Sequence, residues 1–466
     1  MSTLQWLHAD GDRLADEQGR TVVLRGVGLG GWMNMENFVT GYPGSEREIR
    51  RLLRAAMGEE AYTSFFDTFL TDFFDEADAR HLASLGLNSV RIPVNYRHFE
   101  DDDRPMEWKE TGFARLDRVV TLLARHGLYS VIDLHALPGA QNQHWHSDNP
   151  THRSEFWTHR HFQDRAVALW EQLAERYKDR PEVAGYNPVN EPAEPTGEVL
   201  AAFYRRLERA IRAVDPRHVL FLDGNRYSTD FSVFARGEPL PNCVYTAHDY
   251  ALPGIVGATA YPGVTRGEFF DSSVVEQTFL RRTRYMRETG TPVWIGEFGP
   301  VYSADRSQDV WRLALLRDQL EIYAEHGAGW SLWTYKDIGL QGLVTVAPDS
   351  AYLRRIRPVL EQKQRLGADS WGGSDAGVRD VLDPVDALFE REFPGFEPYP
   401  WGRRQYVAGL VRHIMLAEPL AERFARLFEG ITPEEAAEAA RSFRFDRTVE
   451  RTGLSAVLRH HLTRGG

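Results

Sequence analysis

The chain has 466 residues, 42% hydrophobic and 26% charged, an ordinary globular balance with enough length to bury a full core without covalent staples. Its 55 basic and 67 acidic residues leave a formal charge of −12, which argues against a nucleic-acid partner and against an anionic membrane surface. With one cysteine, Cys243, the chain can form neither an intramolecular disulfide nor a cysteine-based metal site.

The opening stretch, MSTLQWLHADGDRLADEQGR, has no basic head and no apolar run, so it does not read as a secretory leader and a cytoplasmic protein is expected. No stretch approaches the ~18 apolar residues of a membrane span. LHADGDRLADEQGR reads as a β-hairpin turning at Asp10-Gly11, expected to plug the bottom of the main fold. Eight short apolar, β-branched runs come next: 21–29, 89–94, 129–135, 183–190, 218–224, 243–250, 292–298 and 329–335. Amphipathic helices separate many of them. Phe113, Leu116, Val119, Val120 and Leu123 form one apolar stripe, as do Ala166, Leu169, Trp170, Leu173 and Tyr177, and Val310, Leu313, Leu316 and Leu320. Eight strand–helix units predict an α/β fold of the closed (β/α)8 barrel type, the TIM barrel, over residues 1–370 with the hairpin included. The glycines at 26, 28, 30 and 31 do not follow the G-x-G-x-x-G spacing that an open nucleotide-binding sheet wants. After SWGGSDAG, which reads as a linker, residues 371–466 turn helical in period. Thr432-Pro433-Glu434-Glu435 marks one helix start. This helical extension could cover the barrel, line part of the substrate entrance, or carry a homo-oligomer interface.

In such a barrel the chemistry sits at the C-terminal strand ends. The second strand carries Arg91. The third ends in Asp133-Leu134-His135, the fourth in Asn190-Glu191, the sixth in His248-Asp249-Tyr250, the seventh in Glu297, and the eighth carries Trp333. Polar groups on apolar strands are costly to bury, and here they converge on one rim. Glu191 and Glu297 end strands on roughly opposite sides of the mouth. Paired carboxylates flanking a sugar are what glycosidic bond cleavage requires: one stays protonated to serve the leaving oxygen, the other ionised to attack. With Arg91 beside it, Glu297 is expected to be the ionised partner and Glu191 the protonated one.

The stretches LRGVGLGGW, NSVRIPV, VIDLHALPGAQN, VNEP, AHDY, IGEFG and WSLWTYKD resemble glycoside hydrolase family 5 across the whole barrel. The resemblance implies a retaining β-glycosidase acting on an oligosaccharide, without metal or organic cofactor. It implies Glu191 as acid/base, Glu297 as nucleophile, and Asn190 on the sugar 2-hydroxyl. Arg91 and Tyr250 would touch the nucleophile, His135 and His248 would line the −1 site, and Trp333 would form its platform. Trp32, Trp145 and Trp157 are candidates for outer sugar contacts. The segments after the first and third strands are long and bulky. Such loops wall a cleft into a pocket and favour exo action, with β-mannoside slightly ahead of β-glucoside. The alternatives are an endo-acting β-1,4-glucanase or β-mannanase, a metal-dependent barrel hydrolase, and a non-catalytic sugar-binding barrel. His144-x-His146 and His159-x-His161 invite the metal reading, but they read better as part of a solvated loop rich in arginine.

Overall fold

The computed structural model describes residues 4–234, 238–250, 260–265, 267–302 and 309–464. Strands β1 (Leu7–Asp10) and β2 (Arg13–Asp16) form the expected hairpin, in antiparallel register with Asp10 opposite Arg13. The turn is therefore Gly11-Asp12, one residue later than the sequence suggested. Gly11, at φ +61, supplies its left-handed position.

The barrel strands are β3 (Arg25–Gly28), β4 (Ser89–Asn95), β5 (Tyr129–Ala136), β6 (Val183–Asn187), β7 (Val219–Asp223) and β8 (Cys243–His248). A two-stranded excursion comes next, β9 (Gly263–Thr265) with β10 (Glu268–Phe270). Strands β11 (Val293–Phe298) and β12 (Gly329–Leu332) then close an all-parallel barrel in the order β11-β12-β3-β4-β5-β6-β7-β8. All eight predicted strands exist. Two of them end three residues sooner than predicted, β6 at Asn187 and β12 at Leu332. Pro188 lacks the amide the ladder needs, and Glu191 adopts φ +46, so the chain leaves the sheet just before its functional side chains.

Leu7 and Leu14 of the hairpin share a small apolar core with Leu24, Val131, Val219 and Trp294 from the barrel interior. That packing is the plug. The stripe 113–123 lies buried on helix Glu110–Arg125, and the stripe 166–177 on helix Arg160–Tyr177. The third stripe is corrected. On helix Asp309–Glu325, Val310 is exposed and the buried face runs through Leu315, Leu316, Leu320 and Tyr323.

Two features went unread in the sequence. An inserted pair of helices, Glu46–Met57 and Glu59–Asp72, precedes the helix Glu76–Ser84 that leads into β4. The C-terminal helices pack onto this insertion: Ser64 Oγ donates to Pro433 O at 2.7 Å, and Phe69 meets Phe443 edge to face at 5.0 Å. The helix start at Thr432 is a full capping box with Glu435, and Pro433 occupies its first turn. The extension is not purely helical. Short strands β13 (Lys336–Asp337) and β14 (Val344–Val346) are joined by β15 (Thr448–Glu450), which pairs antiparallel with β14. Buried Lys336 ties three distant segments together, donating to Asp78 Oδ1 (2.7 Å), Phe73 O (2.6 Å) and Phe443 O (2.8 Å). No helix among the described residues is long and apolar enough to cross a membrane.

Candidate active site

The rim residues do converge. Arg91, on β4 and fully buried, is the hub. Its Nη1 donates to Glu297 Oε1 at 2.6 Å, its Nε and Nη2 to Asn187 Oδ1 at 3.0 and 2.9 Å, and its Nη2 to Asn190 Oδ1 at 2.7 Å, with Asp133 Oδ2 at 3.1 Å. Burial works against the guanidinium charge, but Asp133 and Glu297 outweigh it and raise its pKa. Register puts these groups side by side: Asp133 pairs with Asn187 across β5 and β6, and Glu297 with His248 across β11 and β8. Tyr250 Oη donates to Glu297 Oε2 at 2.6 Å, so both oxygens of Glu297 are held.

Glu191 sits across the mouth. Its left-handed backbone, φ +46, is uncommon for a side chain of this size and is pinned by its amide donating to Asp223 Oδ2 at 2.8 Å. His248 Nδ1 lies 2.7 Å from Glu191 Oε1, and His146 Nε2 lies 3.2 Å from Oε2. Burial pushes the Glu191 carboxyl up, yet the hydrogen bonds and charges of His146 and His248 prevail and hold it well below its ordinary value. His248 goes the other way. Burial lowers it, but the charges of Glu297 and Asp223 raise it. Asp223, 3.5 Å from His248 Nε2, is itself pushed up to about 6 by burial against the pull of His248 and Arg91. The expectation of a simply protonated Glu191 is therefore corrected. At rest, the proton belongs to the Glu191–His248 pair and lies towards the imidazole.

A Glu191 oxygen, a Glu297 oxygen and a His248 nitrogen fall within 4.8 Å of one another. Two carboxylates and an imidazole could hold a cation. Here, though, each carboxylate oxygen already faces a protein donor: Arg91 and Tyr250 on Glu297, His248 and His146 on Glu191. That arrangement fits carboxylates kept for reaction rather than for a metal.

The remaining predicted side chains line the same hollow. His135 is held between Asp133 Oδ2 (2.7 Å) and Glu36 Oε1 (3.4 Å). Burial lowers its pKa, but those two acids carry it up to about 10. Trp333 stacks parallel on His135, with centroids 5.4 Å apart. The glycine-rich turn after β3 makes room for that indole. A Cβ at Gly28 would come within 2.5 Å of Trp333 Cε3, and one at Gly30 within 2.8 Å of its six-membered ring.

A cavity of about 910 Å³ opens above these groups. Glu36 lines it, buried, and among the described residues its Oε1 is engaged only by the 3.4 Å contact with His135. His144 and His146 line it too, which corrects their reading as part of a solvated loop; His159 and His161 do lie exposed, at the start of helix Arg160–Tyr177. Among the three candidate tryptophans, Trp145 lines the cavity. Trp32 instead caps the core by donating to Leu70 O, and Trp157 braces a loop through Gln141 O. The segment read as a linker contributes Ser370 and Trp371, with Asp369 just before it, and the helical extension contributes Trp401, Gln405 and His413. Asp223 was findable, because it ends the fifth predicted strand in HVLFLDG. Trp401 and His413 carried no signal, since only the tertiary fold brings them to the barrel.

Residues 56–339 match the family model described as cellulase, glycosyl hydrolase family 5. A beta-xylosidase of Phanerodontia chrysosporium is 45% identical over 473 residues, covering 98% of this chain and 98% of its own. A probable glucan 1,3-beta-glucosidase A of Aspergillus niger is 26% identical over 378 residues, covering 69% of this chain and 85% of its own. Among solved structures, a glycoside hydrolase superposes with TM-score 0.53 at 21% identity over 68% of this chain and 90% of that one, a likeness of fold.

Proposed function

The chain belongs to glycosyl hydrolase family 5 and is a glycoside hydrolase acting on β-linked sugars, and from that premise we propose an exo-acting enzyme that works by double displacement. The observation that carries the mechanism is the close approach of the two carboxylates, with oxygens within 4.8 Å. Retaining enzymes hold this pair ~5–5.5 Å apart, whereas inverting ones need ~6.5–9.5 Å to admit a water.

In this reading Glu297 attacks the anomeric carbon and forms the glycosyl–enzyme bond as the glycosidic C–O bond breaks. Arg91 and Tyr250 aim its carboxylate. The proton held at rest by His248 passes across their 2.7 Å contact through Glu191 to the leaving oxygen, which leaves Glu191 a carboxylate and His248 neutral. In the second step Glu191 takes a proton from water, the water oxygen attacks the same carbon, and Glu297 departs as carboxylate. Proton and charge return to their starting places. Asn190 faces the sugar 2-hydroxyl, Trp333 underlies the ring, and at the closed end Glu36 accepts from hydroxyls while the His135 imidazolium donates to them.

Exo action is supported by how the hollow is enclosed. Loops after β3, β5 and β7, the segment 369–371 and the extension all contribute walls, which suits one terminal sugar better than a chain threaded through. For the sugar itself, the relative named beta-xylosidase puts β-xyloside ahead of the β-mannoside and β-glucoside that the sequence favoured. The test is initial rate on matched aryl β-xyloside, β-mannoside, β-glucoside and β-galactoside. One fast substrate names the sugar. No release from any of them, with turnover of longer β-1,4-oligosaccharides, overturns the exo reading.

A further inference from the structure

We propose that the C-terminal extension completes the active site by building the subsite for the leaving group, and that its occupant is a second, neutral sugar residue. This rests on Glu191 being the acid side of the reaction. The leaving group must then lie on that side of the anomeric carbon, and a continuous run of rings leads outward from there.

His146 touches Glu191 and stacks on His144 at 5.7 Å. His144 meets Tyr227 edge to face at 5.3 Å and His413 at 5.5 Å. Tyr227 stacks on Trp401 at 5.4 Å, and the Arg226 guanidinium lies 4.9 Å from the Trp401 ring centre. Trp401 and His413 come from the extension, and all these residues line the cavity.

The wall is built rather than incidental. Arg226, Tyr227 and Ser228 occupy left-handed backbone in succession (φ +53, +58, +56), a costly arrangement for three side-chain-bearing residues. It turns Arg226 and Tyr227 towards the extension. There a π turn, Val411–Met415, carries His413, and Trp145 Nε1 docks on the His413 carbonyl at 3.1 Å. A small separate core of Val378, Leu382, Val407, Ala408 and Val411 stiffens this part of the extension.

The chemistry of the wall selects the occupant. Trp401 is 43% exposed, a large aromatic surface that a flat ring can cover. Both ring nitrogens of His413 lack a hydrogen-bond partner although the side chain is only 7% exposed, and Gln405 lies nearby on the same wall. An apolar leaving group would cover these polar groups without pairing them. Burial and neighbouring imidazoles push His144 down to about 3 and His413 well below its ordinary value, so both rings are neutral. A neutral imidazole offers one donor and one acceptor, which matches a hydroxyl.

The test uses the full-length chain with Glu297→Gln to block turnover, and titrates a monosaccharide and the corresponding β-linked disaccharide by calorimetry. Adding Trp401→Ala is expected to lower the disaccharide-to-monosaccharide affinity ratio about tenfold, and Trp401→Phe to restore most of it. An unchanged ratio overturns the proposal, as does an equal loss for both ligands, which would mark Trp401 as structural. A loss confined to an alkyl β-glycoside would assign the wall to an apolar group instead. Because binding is read without turnover, failure of the catalytic reading is seen separately, as a wild-type chain that cleaves no aryl β-glycoside.

Discussion

The floor of the pocket and its outer wall are made differently. On the floor, Arg91, Asp133, Asn187, Asn190 and Glu297 stand on or just beyond parallel strands and hold one another through hydrogen bonds and ion pairs centred on Arg91. On the outer wall, His144, Tyr227, Trp401 and His413 come from loops and from the extension, meet mainly through ring contacts, and leave the His413 nitrogens without partners. The floor is organised before substrate arrives, as transition-state stabilisation demands. The wall keeps its hydrogen-bonding capacity for the ligand.

The sharpest way to break this contrast is at the floor. Glu297→Ala is expected to lower kcat by ~10⁴ or more, with azide restoring turnover and yielding the α-glycosyl azide. Product stereochemistry, read by NMR, checks both. Glu191→Ala is expected to cost ~10²–10⁴ in kcat/KM on a disaccharide, yet little on a dinitrophenyl glycoside, whose leaving group needs no proton. Equal losses on the two substrates would reverse the assignment of sides. Tyr250→Phe removes one charge-assisted hydrogen bond to the nucleophile, a loss of ~1.5–3 kcal/mol, or about ten- to hundredfold in kcat/KM with the melting temperature little changed. Gly28→Ala drives a methyl into Trp333 and should cost ~1–3 kcal/mol in urea unfolding while raising KM. The smallest effect probes the junction of the two regions. His146 is one of two imidazoles holding the Glu191 carboxyl low, so His146→Ala lets that carboxyl rise. The acid form then survives to higher pH, and the basic limb of the kcat/KM profile moves upward. A downward move would mean that His146 does not stabilise the Glu191 carboxylate.

The same contrast explains what could be read from the chain. Strand ends are set by a short-range pattern, so Arg91, His135, Asn190, Glu191, His248, Tyr250, Glu297 and Trp333 could all be placed on one rim without coordinates. The protonation of Glu191 could not, because it depends on His146, which reaches the carboxyl from a loop with no period of its own. Trp401 and His413 are 210 and 222 residues beyond Glu191 (401 − 191 and 413 − 191), and no local signal relates them to it. Val310 failed for another reason: a 3.6-residue stripe can be drawn through several faces of a helix, and packing kept Leu316 and Leu320 but joined them to Leu315 and Tyr323 rather than to Val310.

Lys336 also has a meaning for the newly made chain. Its ammonium is neutralised by Asp78, synthesised long before it, and capped by the carbonyl of Phe443, synthesised more than a hundred residues after. The ribosome therefore releases the barrel strands while this buried ammonium still lacks one of its three acceptors and while the face of helix Glu59–Asp72 is bare. Maturation must wait for the last helices, a late closure of high sequence separation. A nascent chain stalled before Phe443 should be protease-sensitive and silent, and activity should appear only once this segment has been made.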